Sequence, residues 1–159
     1  MLQINRNTVL IKSFLLLPLF AVLSSFSVSW GGDSYQVYVN NKLVLEEYVH
    51  GQKGVKTVAL QQANVNDQVS IVYSHCGKTG QSRTITLRDG KNKVLKAWTF
   101  ENAGVNGAKS SMSCRAKEIL EIKNHSGLDR LNLYYSSKEM PEGKLLVYII
   151  SAKDNVGTP

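Results

Sequence analysis

Chemistry-capable residues concentrate between positions 75 and 114. His75 and Cys76 are adjacent, and a thiol beside an imidazole is the raw material of a nucleophile and its base. Neighbours on a strand point to opposite faces, so the two are poorly placed to act as a dyad. Cys114 is the only other cysteine. In a chain that opens with an export-type segment, the pair predicts one disulfide, Cys76–Cys114. Closing that loop would restrict the unfolded chain, a stabilisation of about 3–4 kcal/mol in the chain-entropy model. The alternative is a soft metal site from His75, Cys76, Met112 and Cys114, since imidazole, thiolate and thioether suit Cu(I) or Zn. The spacing matches no compact ligand motif.

Carboxylates give less. Glu46–Glu47 and the pair Glu118/Glu121 lie in charged stretches and read as solvated. His50 and His125 fall in glycine-bearing turns and read as exposed. There is no Gly-x-Ser-x-Gly elbow, phosphate loop or His-Glu-x-x-His. This lowers the expectation of an enzyme, no catalytic residue is assigned, and no cofactor is expected.

Binding is the chemistry that remains. Consecutive Tyr134 and Tyr135 must face opposite ways, so one of them, taken as Tyr134, is offered to solvent. An exposed tyrosine can stack on a sugar or anchor a protein. The other binding candidates are His75, Gly77 and Lys78 beside the expected staple, with Asn106, Lys109 and Met112 in the aperiodic stretch Glu101–Ser113. Loops of that length are uncommon unless they have work to do.

The elements that must position these residues read as strands. Asp33–Asn40 alternates Tyr35, Val37 and Val39 with Ser34, Gln36 and Tyr38, and Asn40-Asn41-Lys42 is a turn. Leu43–Val49 returns as a second strand, with Leu43, Leu45 and Val49 on one face. Val55–Gln61 is a third. In Val69–Cys76, residues Val69, Ile71 and Tyr73 share a face. Arg83–Arg88 and Lys93–Phe100 flank Asp89-Gly90, a strong hairpin signal, and Val94, Trp98 and Phe100 should bury the returning strand. Residues 115–122 read as a short helix, capped by Ser113, or as an irregular edge segment. Leu131–Ser136 and Lys144–Ile150 are the last strands, joined by a loop with Pro141 and Gly143. The second is apolar enough to be central. About eight short strands with frequent turns predict an all-β fold, an antiparallel β-sandwich.

Residues 1–29 stand apart. Arg6 and Lys12 precede an apolar run that ends in the small residues Ser27-Val28-Ser29, the three-part pattern of a cleaved signal peptide. The run falls short of the ~20 apolar residues of a spanning helix, so no membrane span is expected after cleavage. A retained anchor is the alternative. Cleavage would leave a 30–150 β-sandwich domain and a mobile 151–159 tail. It would also lower the formal net charge from +7 to +5, with the excess spread as single lysines. No block of like charges suggests a nucleic-acid arm.

The phrases DSYQVYVNNKLVLEEYVHGQKGVKTVAL, YSHCGKTGQSRTITLRDGKNKVLKAW and LNLYYSSKEMPEGKLL resemble those of small exported proteins of unknown function, of the kind common in Bacteroidetes-type bacteria. The resemblance would cover most of the mature chain. It implies an exported all-β protein and supplies no activity, ligand or catalytic residue. The expectation is therefore a secreted or periplasmic non-catalytic binding module, working through loop ends on an envelope protein or polysaccharide. The alternatives are a copper- or zinc-handling protein and an uncharacterised hydrolase.

Overall fold

The computed structural model describes residues 32–61, 66–103 and 110–152. The expected signal segment, Asn106, Lys109 and most of the tail lie outside the described residues. Within them the chain forms β1 (Ser34–Val39), β2 (Lys42–Tyr48), β3 (Lys56–Leu60), β4 (Gln68–Ser74), β5 (Arg83–Arg88), β6 (Val94–Phe100), β7 (Met112–Arg115), α1 (Ala116–Ser126), β8 (Leu131–Ser137) and β9 (Met140–Ser151).

The strands make two sheets, one ordered β2-β1-β4-β7 and the other β3-β9-β8-β5-β6. The all-β sandwich expected from the alternating pattern is the architecture found. One pairing departs from the antiparallel rule: β3 runs parallel to β9. β3 joins the second sheet after β2, and the chain then returns to the first for β4.

Alternation decides which side chains go inside. Tyr35 and Val37 on β1, Val69, Ile71 and Tyr73 on β4, and Met112 and Cys114 on β7 are all buried. They face Ile85, Leu87, Leu131, Leu133, Val147 and Ile149 from the second sheet. Each fully buried aliphatic chain contributes roughly 1.5–3 kcal/mol. The β1–β2 turn places Asn40 and Asn41 at φ 50° and 63°. That left-handed geometry matches the twist of a tight hairpin and suits asparagine.

Several expectations fail for identifiable reasons. Met112, read as a loop residue, and Cys114, expected just past that loop, sit on the additional strand β7, paired to Ile71 and Val69 of β4. That register rules out the Cys76–Cys114 staple. Cys76 lies in the turn past the other end of β4, and Val69 to Ser74 alone spans roughly 17 Å at about 3.3 Å per residue. Both cysteines are free thiols. The same separation splits the soft-metal set, with His75 and Cys76 at one end of β4 and Met112 and Cys114 at the other. Among the described residues no group of three or more His, Cys, Asp or Glu is placed to hold a metal ion.

Val94 and Leu43 are exposed, because β6 and β2 are sheet edges with a register shift in each hairpin. Pro141 and Gly143 lie inside β9 rather than in a loop. The helix forms over Ala116–Ser126 with Arg115, not Ser113, at its N-cap, and Gly127 ends it at φ 63°. Ile119 buries completely. Glu118 ties the helix to β6, pairing with Lys96 at 2.8 Å and accepting from Trp98 Nε1 at 3.3 Å. The lysine and the indole N–H hold the Glu118 carboxyl below the usual carboxylate range. Among the described residues no helix is long and apolar enough to cross a membrane.

Candidate functional site

Two side-chain groupings carry functional potential. The first lies at the end of β4, where strand parity points Tyr73 and His75 inward. His75 Nδ1 is 3.1 Å from Asp33 Oδ2, and its Nε2 is 3.1 Å from both Tyr135 Oη and Ser137 Oγ. Asp33 also accepts from Tyr73 Oη at 3.1 Å and from the Cys76 thiol at 3.6 Å. Tyr73 stacks on Tyr135 with ring centroids 4.2 Å apart. The cluster joins the start of β1 and the end of β4 to β8 in the opposite sheet.

A carboxylate, an imidazole and a hydroxyl in series have the connectivity of a serine-hydrolase relay. Their solvent exposure runs the opposite way from what catalysis needs. The Asp33 and His75 side chains keep 21 and 13 % exposure. Ser137 keeps 5 % and Tyr135 none. The hydroxyl that would attack is thus among the innermost members, and in the tautomer that donates Nδ1–H to Asp33 it must share the single Nε2 lone pair with Tyr135. Gly80 covers the cluster so closely that an added Cβ would lie 3.0 Å from His75 Nε2 and from Ser137 Cβ. The geometry is that of a hydrogen-bonded latch between sheets. Burial, and secondarily the Asp33 charge, raises the Tyr73 pKa, and burial likewise raises that of Tyr135. Both phenols stay neutral donors over the working pH range.

The second grouping is the outer face of the four-stranded sheet. Pairing of β1 with β2 and β4 sets its side chains in rows. Tyr48, Ser34 and Ser74 form one row, and Glu46, Gln36 and Val72 the next. A third row runs Leu43, Tyr38 and Ser70, and Ser70 pairs onward to Ser113 of β7. Tyr38 Oη donates to Gln36 Oε1 at 2.8 Å, and Gln36 Nε2 donates to Glu46 Oε1 at 2.8 Å. Ser70 and Ser113 share a hydrogen bond of 2.8 Å. A shallow concavity of about 280 Å³ opens here, lined by Tyr38, Asn41, Gln68, Ser70, Val72, Ser111 and Ser113. A second, of about 420 Å³, adjoins it through Asn41 and Gln68 and adds Asn40, Asn66 and Asp67.

The residues singled out from sequence scatter across the molecule. His75 is in the latch. Gly77 and Lys78 are exposed in the turn beyond it, where His75 and Lys78 bridge back to each other. Met112 is fully buried. Tyr134 lies on the outside of the other sheet, under Arg88 at 4.2 Å and bonded to Asn92 at 3.0 Å. The latch partners Asp33 and Ser137, and the rows through Gln36, Tyr38 and Ser70, were not anticipated. Both were detectable by period two: Tyr73-x-His75, Tyr135-x-Ser137 and Ser34-x-Gln36-x-Tyr38 each share a face. No family model, curated protein or solved structure matches the chain.

Proposed function

We propose that this protein is an exported, non-catalytic binding module whose working surface is the outer face of the four-stranded sheet. The observation that carries the reading is the concavity around Tyr38, built on a rigid sheet from an aromatic ring, amides and hydroxyls. Ligand sites are concave and place a few polar groups against an apolar body. Export is supported by the basic, apolar and small-residue order of residues 1–29 and by the resemblance to small exported all-β proteins. The partner is an envelope polysaccharide or protein, met by the sheet face rather than by the loop ends.

The test is co-sedimentation of the mature chain with washed envelope fractions of the producing cell. Wild type is retained. Tyr38→Ala and Val72→Lys lower retention about tenfold or more, while Tyr134→Ala on the opposite sheet does not. Retention that ignores the Tyr38 and Val72 changes would remove this face as the working surface.

A hydrolase is the second reading, favoured by the Asp33–His75–Ser137 connectivity alone. A fluorophosphonate that labels Ser137 in the folded wild type, but not in His75→Ala, would put it ahead of the first. No labelling of the folded chain leaves the latch structural.

A further inference from the structure

We propose that the ligand of this face is a neutral polysaccharide, laid over β1 and β2 and into the Tyr38 concavity. The inference rests on the binding-module reading and names its ligand class. Electrostatics carries it. The chain as a whole has a formal net charge of +7, yet the three rows between Tyr48 and Ser113 contain no lysine or arginine, and the next step of the sheet, Gln68 paired with Arg115, adds one arginine at the β7 edge. The single charge within the rows, Glu46, is already engaged by Gln36. A phosphate-rich or acidic polymer would find a single counter-charge, Arg115 at the β7 edge, and would be drawn instead to the lysines elsewhere. An apolar protein surface would find mainly Leu43, Val72 and the tyrosine rings among hydroxyls and amides.

What the face does offer matches a sugar chain. Each sugar hydroxyl both donates and accepts, and so do the Ser70 and Ser113 hydroxyls and the Asn41 and Gln68 amides around the concavity. Sugar rings also present C–H faces, for which a tyrosine ring with a polar tip is a suitable platform. Tyr48 is 62 % exposed at the far end of the same face. It pairs with Ser34, four residues from Tyr38, so the two tyrosines occupy positions about 13 Å apart along the strands at 3.3 Å per residue. Two aromatic platforms with a hydrogen-bonding floor between them suit an extended chain better than a single sugar.

The experiment uses the mature chain with soluble neutral oligosaccharides (hexamers of glucose, mannose, xylose and N-acetylglucosamine) and with polygalacturonate as the anionic probe. Binding is followed by calorimetry at low and high salt. At least one neutral hexamer is expected to bind with little salt dependence. Tyr38→Ala should weaken it about tenfold or more, Tyr48→Ala should weaken it for hexamers more than for dimers, and Tyr134→Ala should leave it unchanged. Preference for polygalacturonate, lost at high salt, would overturn the proposal. So would binding of no neutral glycan. If no glycan binds while Tyr38→Ala still abolishes envelope retention, the ligand class is wrong and the working face stands. If neither assay responds, both readings fall.

Discussion

Gly80→Ala tests the latch with a single methyl group. Gly80 is buried beneath Tyr135, His75 and Ser137. Its backbone lies outside the left-handed region, so it is space and not conformation that requires glycine here. The added Cβ would press into the Tyr135 hydroxyl and touch His75 Nε2 and Ser137 Cβ at 3.0 Å. Tyr135 is fully buried and stacked on Tyr73, so it has no free space to swing into. Overpacking of this kind costs about 1–3 kcal/mol, which at about 4 °C per kcal/mol lowers Tm by roughly 4–12 °C. Tyr135→Phe alone removes one buried hydroxyl while Ser137 still serves His75, a loss of about 0.5–1.5 kcal/mol. It also removes the atom the methyl collides with. The double variant should therefore be more stable than the sum of the single effects by at least ~0.5 kcal/mol. Urea unfolding at neutral pH with calorimetric Tm values reads all three variants. A Gly80→Ala protein within ~0.5 kcal/mol of wild type, or strict additivity with Tyr135→Phe, would show that the latch is not packed as described.

Three further outcomes follow from the same geometry. Thiol titration of the native chain should find one reactive sulfur, Cys76, with Cys114 reacting only on unfolding, because burial pushes its thiol up to about 12; two unreactive thiols that appear only after reduction would restore the disulfide. Tyr35, buried and near Glu47, is pushed up to about 12 from 10, and Tyr73 and Tyr135 are raised as well. Acids whose folded pKa is raised contribute stability that is complete below the unfolded value and is lost as pH rises through the folded one. The urea midpoint should thus hold to about pH 10 and fall by pH 12, with the tyrosinate absorbance of these three buried phenols appearing alongside unfolding; a midpoint flat to pH 12 would contradict their burial. Glu118→Gln should cost about 0.2–1 kcal/mol, small because both partners are partly exposed, and should alter Trp98 emission. The lowered Glu118 pKa means its contribution is present above about 4.5 and fades in acid; an unaltered acid-unfolding midpoint in Glu118→Gln would disprove the tie.

What the sequence determined by itself is local. Alternation in residues 34–39 and 69–75 puts Tyr35, Val37, Val69, Ile71 and Tyr73 inside, as expected, because a strand's period is two whatever it pairs with. The Asn40-Asn41 and Asp89-Gly90 turns are legible for the same reason, since their backbone geometry restricts the residues that fit. Tertiary structure decided everything that depends on which strand lies beside which. The Cys76–Cys114 expectation failed because register, not chain distance, sets where a side chain sits, and β7 pairs with the opposite end of β4. Val94 and Leu43 remain exposed because the register shifts in their hairpins align them with Arg88 and Tyr38 and because only assembly makes β6 and β2 edges. Asp33, His75 and Ser137 are spread over more than a hundred residues, and the rows from Tyr48 to Ser113 draw on four strands. The first set is brought together by the packing of two sheets and the second by strand pairing within one, neither of which any local window of sequence contains.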